Sequence, residues 1–376
     1  MNQPLPNDRA APKRNLTLDV ARAVAMIGVV IFNYHGSLNG TLAWDPISPS
    51  KWERLFNPGT GVLTTRFAAV FVLVAGVGVS LFTRASREAN DPALLRRDRL
   101  RLLRRGVLLY AVGYITQWIW PGTILFYYGA LFIVAALIFF APTRRILSIG
   151  FVSAFVAAAI EWWRVEQAFG GNLTSWLDPL KIDSPRDLLI RTFLSYTHPL
   201  FPWLLFFTVG IVLGRHLHQL AELRQRLMLW SGGILAATYL INSVFVADAP
   251  TTNHERLIAT VLSTRPYDRG LLYSIGTLAS SLLVLCILSL IVDSLGENSV
   301  VNMLARAGQM SFSIYLAHIF FFNLIVHRLH WVGATGLSSA LGLALVFYAI
   351  AIPISAWWRN YLGGGPAEVL YRSFGG

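Results

Sequence analysis

Apolar residues in this chain gather into about ten blocks, each roughly 20 residues long, separated by short polar segments. The blocks cover approximately 17–37, 61–83, 102–120, 123–141, 146–163, 198–217, 227–247, 270–292, 307–327 and 336–358. About 20 apolar residues make a helix that crosses the hydrocarbon layer, whereas the strands of a membrane barrel need only about 10. The pattern therefore predicts an all-α polytopic membrane helix bundle with about ten transmembrane helices. The shortest apolar stretch, GVLLYAVGYITQWIW, needs the preceding RLRLLRR turn to span. A cytoplasmic segment 1–16, a helical domain 17–358 and a cytoplasmic tail 359–376 follow from these limits. Two larger outer segments remain, 164–197 and 248–269, and PRDLLIRTFLSY in the first reads as a short amphipathic helix on the membrane surface.

Composition narrows the class. Hydrophobic residues are 55% of the 376 and charged residues 13%, against about 25% charged in an ordinary soluble domain. A soluble enzyme, a coiled coil and a disordered scaffold are excluded. The net charge of +12 would point to nucleic acid in a soluble protein, but here the question is which side each charge takes. With the N-terminus inside, 19 Lys and Arg fall on the cytoplasmic side, 10 fall outside, and Arg22 and Arg66 lie within spans. That asymmetry predicts cytoplasmic termini. The basic N-terminal segment reads as a retained signal anchor, because Asp19 and Arg22 interrupt the first block and no clean cleavage site follows. One cysteine, Cys286, leaves no internal disulfide and no Cys-cluster metal site. There is no internal repeat and no glycine-rich phosphate loop.

Ionisable groups inside spans are costly, so they mark chemistry. Asp19 and Arg22 stand three apart on one helix face, either as an anchoring ion pair or at a cytoplasmic entrance. Asn33, Tyr34 and His35 lie at the outer end of the first span. A neutral imidazole is the usual general base, and a carboxamide positions a substrate or donates to an oxyanion; the bland reading is a solvated helix end. Arg66 in the second span either pairs with Asp45 or Glu53 or holds an anionic group of a ligand. His318, mid-span in MSFSIYLAHIFFFN, is either bonded to a neighbouring helix or faces substrate. His198 begins the sixth span. His216 and His218 diverge on a helix, His327 and His330 have no acid beside them, and no metal site is expected. The run LLRRDRLRLLRRG, with Arg96, Arg97, Arg101, Arg104 and Arg105, is either topogenic charge or a dock for a phosphorylated ligand such as coenzyme A.

The ordered segments resemble a known group. RNLTLDVARAVAMIGVVIFNY is similar to the opening of the DUF418 type of bacterial membrane protein, and FAAVFVLVAGVGVSLFTRA to its second span. LLRRGVLLYAVGYI, WPGTILFYYGALFIVAALI, HPLFPWLLFFTVGIVLGR, GQMSFSIYLAH and GPAEVLYRSF follow in the family's order and cover most of the chain. The N-terminal pattern also resembles heparan-α-glucosaminide N-acetyltransferase and its bacterial relatives, and more loosely the acyltransferase-3 family. The resemblance implies acyl transfer from cytoplasmic acyl-CoA, most simply acetyl-CoA, to a sugar or glycolipid on the outer side. It implies that Asn33 occupies the active-site Asn position and makes His35 the catalytic candidate, although the relatives separate Asn and His by more residues. Thr123 stands where relatives carry an Asp, and Ala23 where they carry a Gly.

The expectation is thus a multi-pass enzyme of a bacterial inner membrane. His35 and Asn33 are catalytic, and Arg22, Arg96, Arg97, Arg101, Arg104 and Arg105 hold the CoA phosphates. Arg66, Tyr34 and His318 meet substrate. Membrane lipid surrounds the bundle, no nucleic acid is expected, and a homo-oligomer fits. A transporter or lipid flippase, and a regulatory membrane protein without turnover, are the competing readings. Asn33 and His35 are about 200° apart on a continuous helix, so the catalytic reading expects the first helix to end at or just after Asn33, with His35 turning back to a central cavity.

Overall fold

The structure, a computed structural model, describes residues 15–45, 48–179, 181–247 and 250–376. Most of the expected segment 1–16, with Arg9, Lys13 and Arg14, lies outside the described residues. No strand occurs among those described. The longer helices are α1 (Leu16–Asn39), α2 (Arg66–Phe82), α3 (Pro92–Thr116), α4 (Leu125–Ile138), α5 (Thr143–Phe169), α6 (Pro185–Phe193) and α7 (Leu200–Arg215). They continue with α8 (Leu220–Phe245), α9 (Asn253–Leu262), α10 (Leu271–Leu295), α11 (Ser299–Gln309), α12 (Ser311–Phe322), α13 (Leu337–Tyr361) and α14 (Pro366–Gly375).

Polar residues start these helices where the sequence supplies a cap. The Asn15 side chain accepts from the Leu18 amide at 3.2 Å, Asp91 caps α3 just ahead of Pro92, and Asn298 caps α11. Each satisfies amides that a helix start leaves unpaired.

A helix stands at each expected apolar block. Five, α1, α5, α8, α10 and α13, are long and apolar enough to cross a membrane, whereas α2, α4 and α7 are shorter apolar helices. The block at 307–327 is a different object from the straight span expected. It is α11 and α12 bent by 79°, and α12 runs on into a π-helical stretch, Asn323–Arg328.

α1 is the axial helix and packs on α2, α10, α11, α12 and α13. Glycines set its closest approaches and those of α7. A Cβ on Gly308 would collide with the Asp19 carbonyl, and Cβ atoms on Gly76 and Gly210 with the Phe207 and Leu73 carbonyls. Gly210 and Gly214, four apart in GIVLG, let α7 lie against the backbone of α2. Burying these faces places the core around Val30, Val72, Leu102, Phe139, Phe206, Ile314 and Phe322.

Candidate active site

One stripe of α1 organises the interior. Arg22, Met26, Val29, Asn33 and Gly36 follow each other at spacings of three and four, so they share a face. Arg22 and Met26 line one cavity of about 290 Å³. Val29, Asn33 and Gly36 line a second of about 290 Å³ further along the bundle. Ile124 and Tyr315 line both cavities. The Tyr315 hydroxyl accepts from the Ile124 amide at 3.0 Å and donates to Thr123 Oγ1 at 3.2 Å, which locks the ring across the gap.

The first cavity is cationic at one end. Arg22, Arg105 and Arg372 line it together with Glu368 and Gln309. The Arg22 guanidinium donates to Asp19 at 2.8 Å, and Asp19, 1% exposed, also accepts from Gln309 at 3.0 Å. Gln309 in turn accepts from Arg359 at 2.9 Å, so α1, α11 and α13 are tied at this end. Asp19 and Arg22 are therefore an ion pair of which Arg22 also forms part of the cavity wall, not simply an anchor at a helix end. Arg105 lies over the Phe82 ring at 4.2 Å and the Tyr371 ring at 5.1 Å. Among the other arginines expected beside it, Arg96, Arg97 and Arg104 are exposed, and Arg101 faces Asp98 at 3.6 Å. None of these four lines the cavity.

Glu368 explains the bend between α11 and α12. Its carboxylate, 8% exposed, accepts from the Phe312 amide at 2.8 Å, the Ser313 amide at 3.1 Å and the Ser313 hydroxyl. An acid from the C-terminal helix thus caps a helix start in the middle of the chain.

The second cavity is lined by Asn33, Trp120, His198 and Tyr315, with Trp44 and Tyr267 at another wall. Asn33 Nδ2 lies 3.2 Å from His318 Nε2, and His318 is fully buried. The Trp120 ring meets the His318 ring edge-on at 5.5 Å. The Tyr34 hydroxyl donates to the His318 carbonyl at 3.0 Å.

The expected unwinding at Asn33 does not occur. α1 continues to Asn39, because Asn39 secures its last turn: the amide donates to the Gly336 carbonyl at 2.8 Å and accepts from the Gly336 amide at 2.9 Å. His35 therefore stays on the opposite side from Asn33. It is 2% exposed, lies 3.0 Å from Asn39 Nδ2, and lines neither cavity. Tyr34 also lines neither. Arg66, 8% exposed, turns toward α8 and α10. It donates to Thr277 and to Tyr239 at 3.4 Å and lies over Tyr273 at 5.8 Å, in place of the partners Asp45 or Glu53 offered by the sequence.

Of the residues expected from the sequence, Arg22 and Arg105 line the first cavity and Asn33 the second; His318 lines neither but is bonded to Asn33, and His35, Tyr34, Arg66 and the remaining arginines line neither. Tyr315, Trp120, Gln309, Glu368 and Arg372 were not singled out from the sequence. GQMSFSIYLAH and GPAEVLYRSF do flag the segments of Gln309, Tyr315, Glu368 and Arg372, since each follows a glycine and mixes polar groups into an apolar context.

A family model described as heparan-alpha-glucosaminide N-acetyltransferase, catalytic, matches residues 14–244, more than half of the chain. A second, described as a protein of unknown function (DUF418), matches residues 211–375. No curated protein matches. Arg22, Asn33 and Arg105 fall in the first match, and Tyr315, His318 and Glu368 in the second, so the cavities draw on both.

Proposed function

We propose, because the chain belongs to the family of the heparan-alpha-glucosaminide N-acetyltransferase catalytic domain, that it transfers an acyl group, most simply acetyl, across a membrane. The donor is cytoplasmic acyl-CoA and the acceptor an envelope sugar or glycolipid on the outer side. The observation that carries this reading is the pair of cavities strung along one face of α1 and sharing Tyr315 and Ile124 as lining residues. A reaction with its donor on one side and its acceptor on the other needs two compartments that meet at a single point.

Residues at that meeting point have separable tasks. Arg22, Arg105 and Arg372 attract the phosphates of the donor, since guanidinium groups bind phosphate through paired donors. The apolar walls Met26, Phe71 and Leu125 accept the pantetheine arm and exclude water from the thioester. Asn33 donates to the acyl carbonyl as negative charge develops on it, and a neighbouring histidine takes the proton of the acceptor. The reading also requires the full bundle of about ten spans, with α2, α4, α7 and the bent α11–α12 pair completing the set. It places both termini in the cytoplasm and the protein in a bacterial inner membrane.

The test uses inverted membrane vesicles from cells carrying the chain, supplied with radiolabelled acetyl-CoA. Label should enter the envelope carbohydrate or lipid fraction only when the chain is present. Equal labelling with and without it would defeat the proposal.

A further inference from the structure

We propose that His318 is the catalytic base and that Asn33 holds the place of the acceptor until the acceptor arrives. The inference rests on the acyl-transfer reading above and names the residue that moves its proton. Position comes first. Ser311, Tyr315 and His318 follow at spacings of four and three, so α12 presents them on one face. Tyr315 on that face walls both cavities, and His318 lies one turn beyond, touching Asn33 and Trp120 of the second cavity.

The ring's two nitrogens are not equivalent. His318 Nδ1 faces the Tyr315 carbonyl oxygen. A carbonyl only accepts, so Nδ1 carries the ring proton. Nε2 is left with its lone pair, and the Asn33 amide donates to it at 3.2 Å. A second bond holds the backbone of this turn, from the Tyr34 hydroxyl to the His318 carbonyl. The imidazole is therefore oriented and in the tautomer a base requires. Among the described residues, the group bonded to its basic nitrogen is the cavity-lining amide of Asn33, a side chain that rotates.

The transfer step balances. The acceptor hydroxyl or amine enters from the second cavity and displaces the Asn33 amide from Nε2. The freed amide then donates to the thioester carbonyl. The acceptor's oxygen or nitrogen bonds to the acyl carbon and its proton passes to His318 Nε2. The carbon–sulfur bond breaks, and the departing thiolate takes the proton from Nε2, leaving His318 neutral. His318 is itself buried behind Asn33 and lines neither cavity, so displacement of the Asn33 amide is what opens Nε2 to the second one. His35 lacks this link: it sits about 200° around the helix from Asn33, bonded to Asn39, which lines neither cavity.

The experiment measures label transfer in the inverted vesicles and, separately, CoA binding to the purified protein. His318→Gln should lower transfer by about 10²–10⁴-fold while CoA binding changes less than about twofold. A merely structural histidine would lower both together. Wild-type transfer in His318→Gln, or a loss that instead follows His35→Gln, overturns the assignment and leaves the acyl-transfer reading standing. If wild-type protein neither transfers label nor binds CoA, that parent reading fails and this one with it. Should His318→Gln not bind CoA, His318→Ala with added imidazole decides. Imidazole-dependent transfer at constant CoA binding supports the base role, and its absence overturns it.

Discussion

Asn33 has one neighbour on each side of the reaction proposed for it: the His318 ring at 3.2 Å and the open second cavity. Asn33→Ala should therefore reduce transfer by about 10²–10³-fold, as loss of one oxyanion donor does, with little change in CoA binding. Initial rates of label transfer at saturating acetyl-CoA check this, and a change confined to KM would contradict it. Tyr315 is set to a different task. Its hydroxyl ties Ile124 and Thr123 together, so removing the ring joins the two cavities, whereas removing the hydroxyl alone only loosens the seal. Tyr315→Ala is expected to release CoA from acetyl-CoA without labelling the acceptor, because water reaches the thioester. Tyr315→Phe should keep transfer coupled to CoA release more closely than Tyr315→Ala. Equal coupling in the two variants would refute the barrier role.

At the scale of elements, α1 carries the functional stripe and two contacts position it. Gly308 admits α11 against the Asp19 carbonyl, and the Asp19–Gln309–Arg359 chain ties that contact to α13. Gly308→Val forces these helices apart, at a cost of about 1–3 kcal/mol or more. Thermal unfolding in detergent should register the change, together with weaker CoA binding, since Gly308 also lines the first cavity, the one proposed to hold the donor. α14 contributes through Glu368, whose carboxylate satisfies two amides at the start of α12. Glu368→Ala leaves those amides unpaired in a largely buried place, and about 2 kcal/mol of stability should be lost. Glu368→Gln keeps an acceptor oxygen and should recover part of that loss. An unfolding series on the two variants distinguishes capping from a purely steric role.

Across the whole molecule, Arg96, Arg97, Arg99, Arg101, Arg104 and Arg105 crowd residues 96–105 of α3, but of these Arg105 alone lines the first cavity. Arg105 lines the cavity between two aromatic rings, while Arg96 and Arg97 are exposed on the first turns of α3. Arg105→Ala should weaken CoA binding by about tenfold to a hundredfold, the value of one charge-assisted hydrogen bond. The effect should exceed that of Arg96→Ala and Arg97→Ala combined. Rising salt should weaken binding through the exposed charges, which are the ones screened over a Debye length of about 8–10 Å. Equilibrium binding across a salt series tests both statements. For topology, a reporter fused after Gly376 should behave as cytoplasmic; activity typical of the far side would mean that one of the short or bent helices does not cross.

The amino-acid sequence by itself determined the class of the molecule, because twenty-residue apolar blocks have only one low-energy arrangement in lipid, the hydrogen-bonded helix. It also marked Asn33 and Arg22, since a polar or charged side chain inside a span is costly enough to need a purpose. Partners were another matter. Asn33 and His318 are 285 residues apart, and nothing in either segment names the other. Local pattern pointed to His35 because it is near in the chain, but a continuous helix separates positions two apart by more than half a turn. The continuation itself depended on Asn39 meeting Gly336, nearly 300 residues away. Glu368 likewise reads as one acid in a polar tail until the fold sets it at the start of α12. What tertiary structure decided was which faces meet, and chemistry between residues distant in sequence exists only where packing brings those faces within hydrogen-bonding distance.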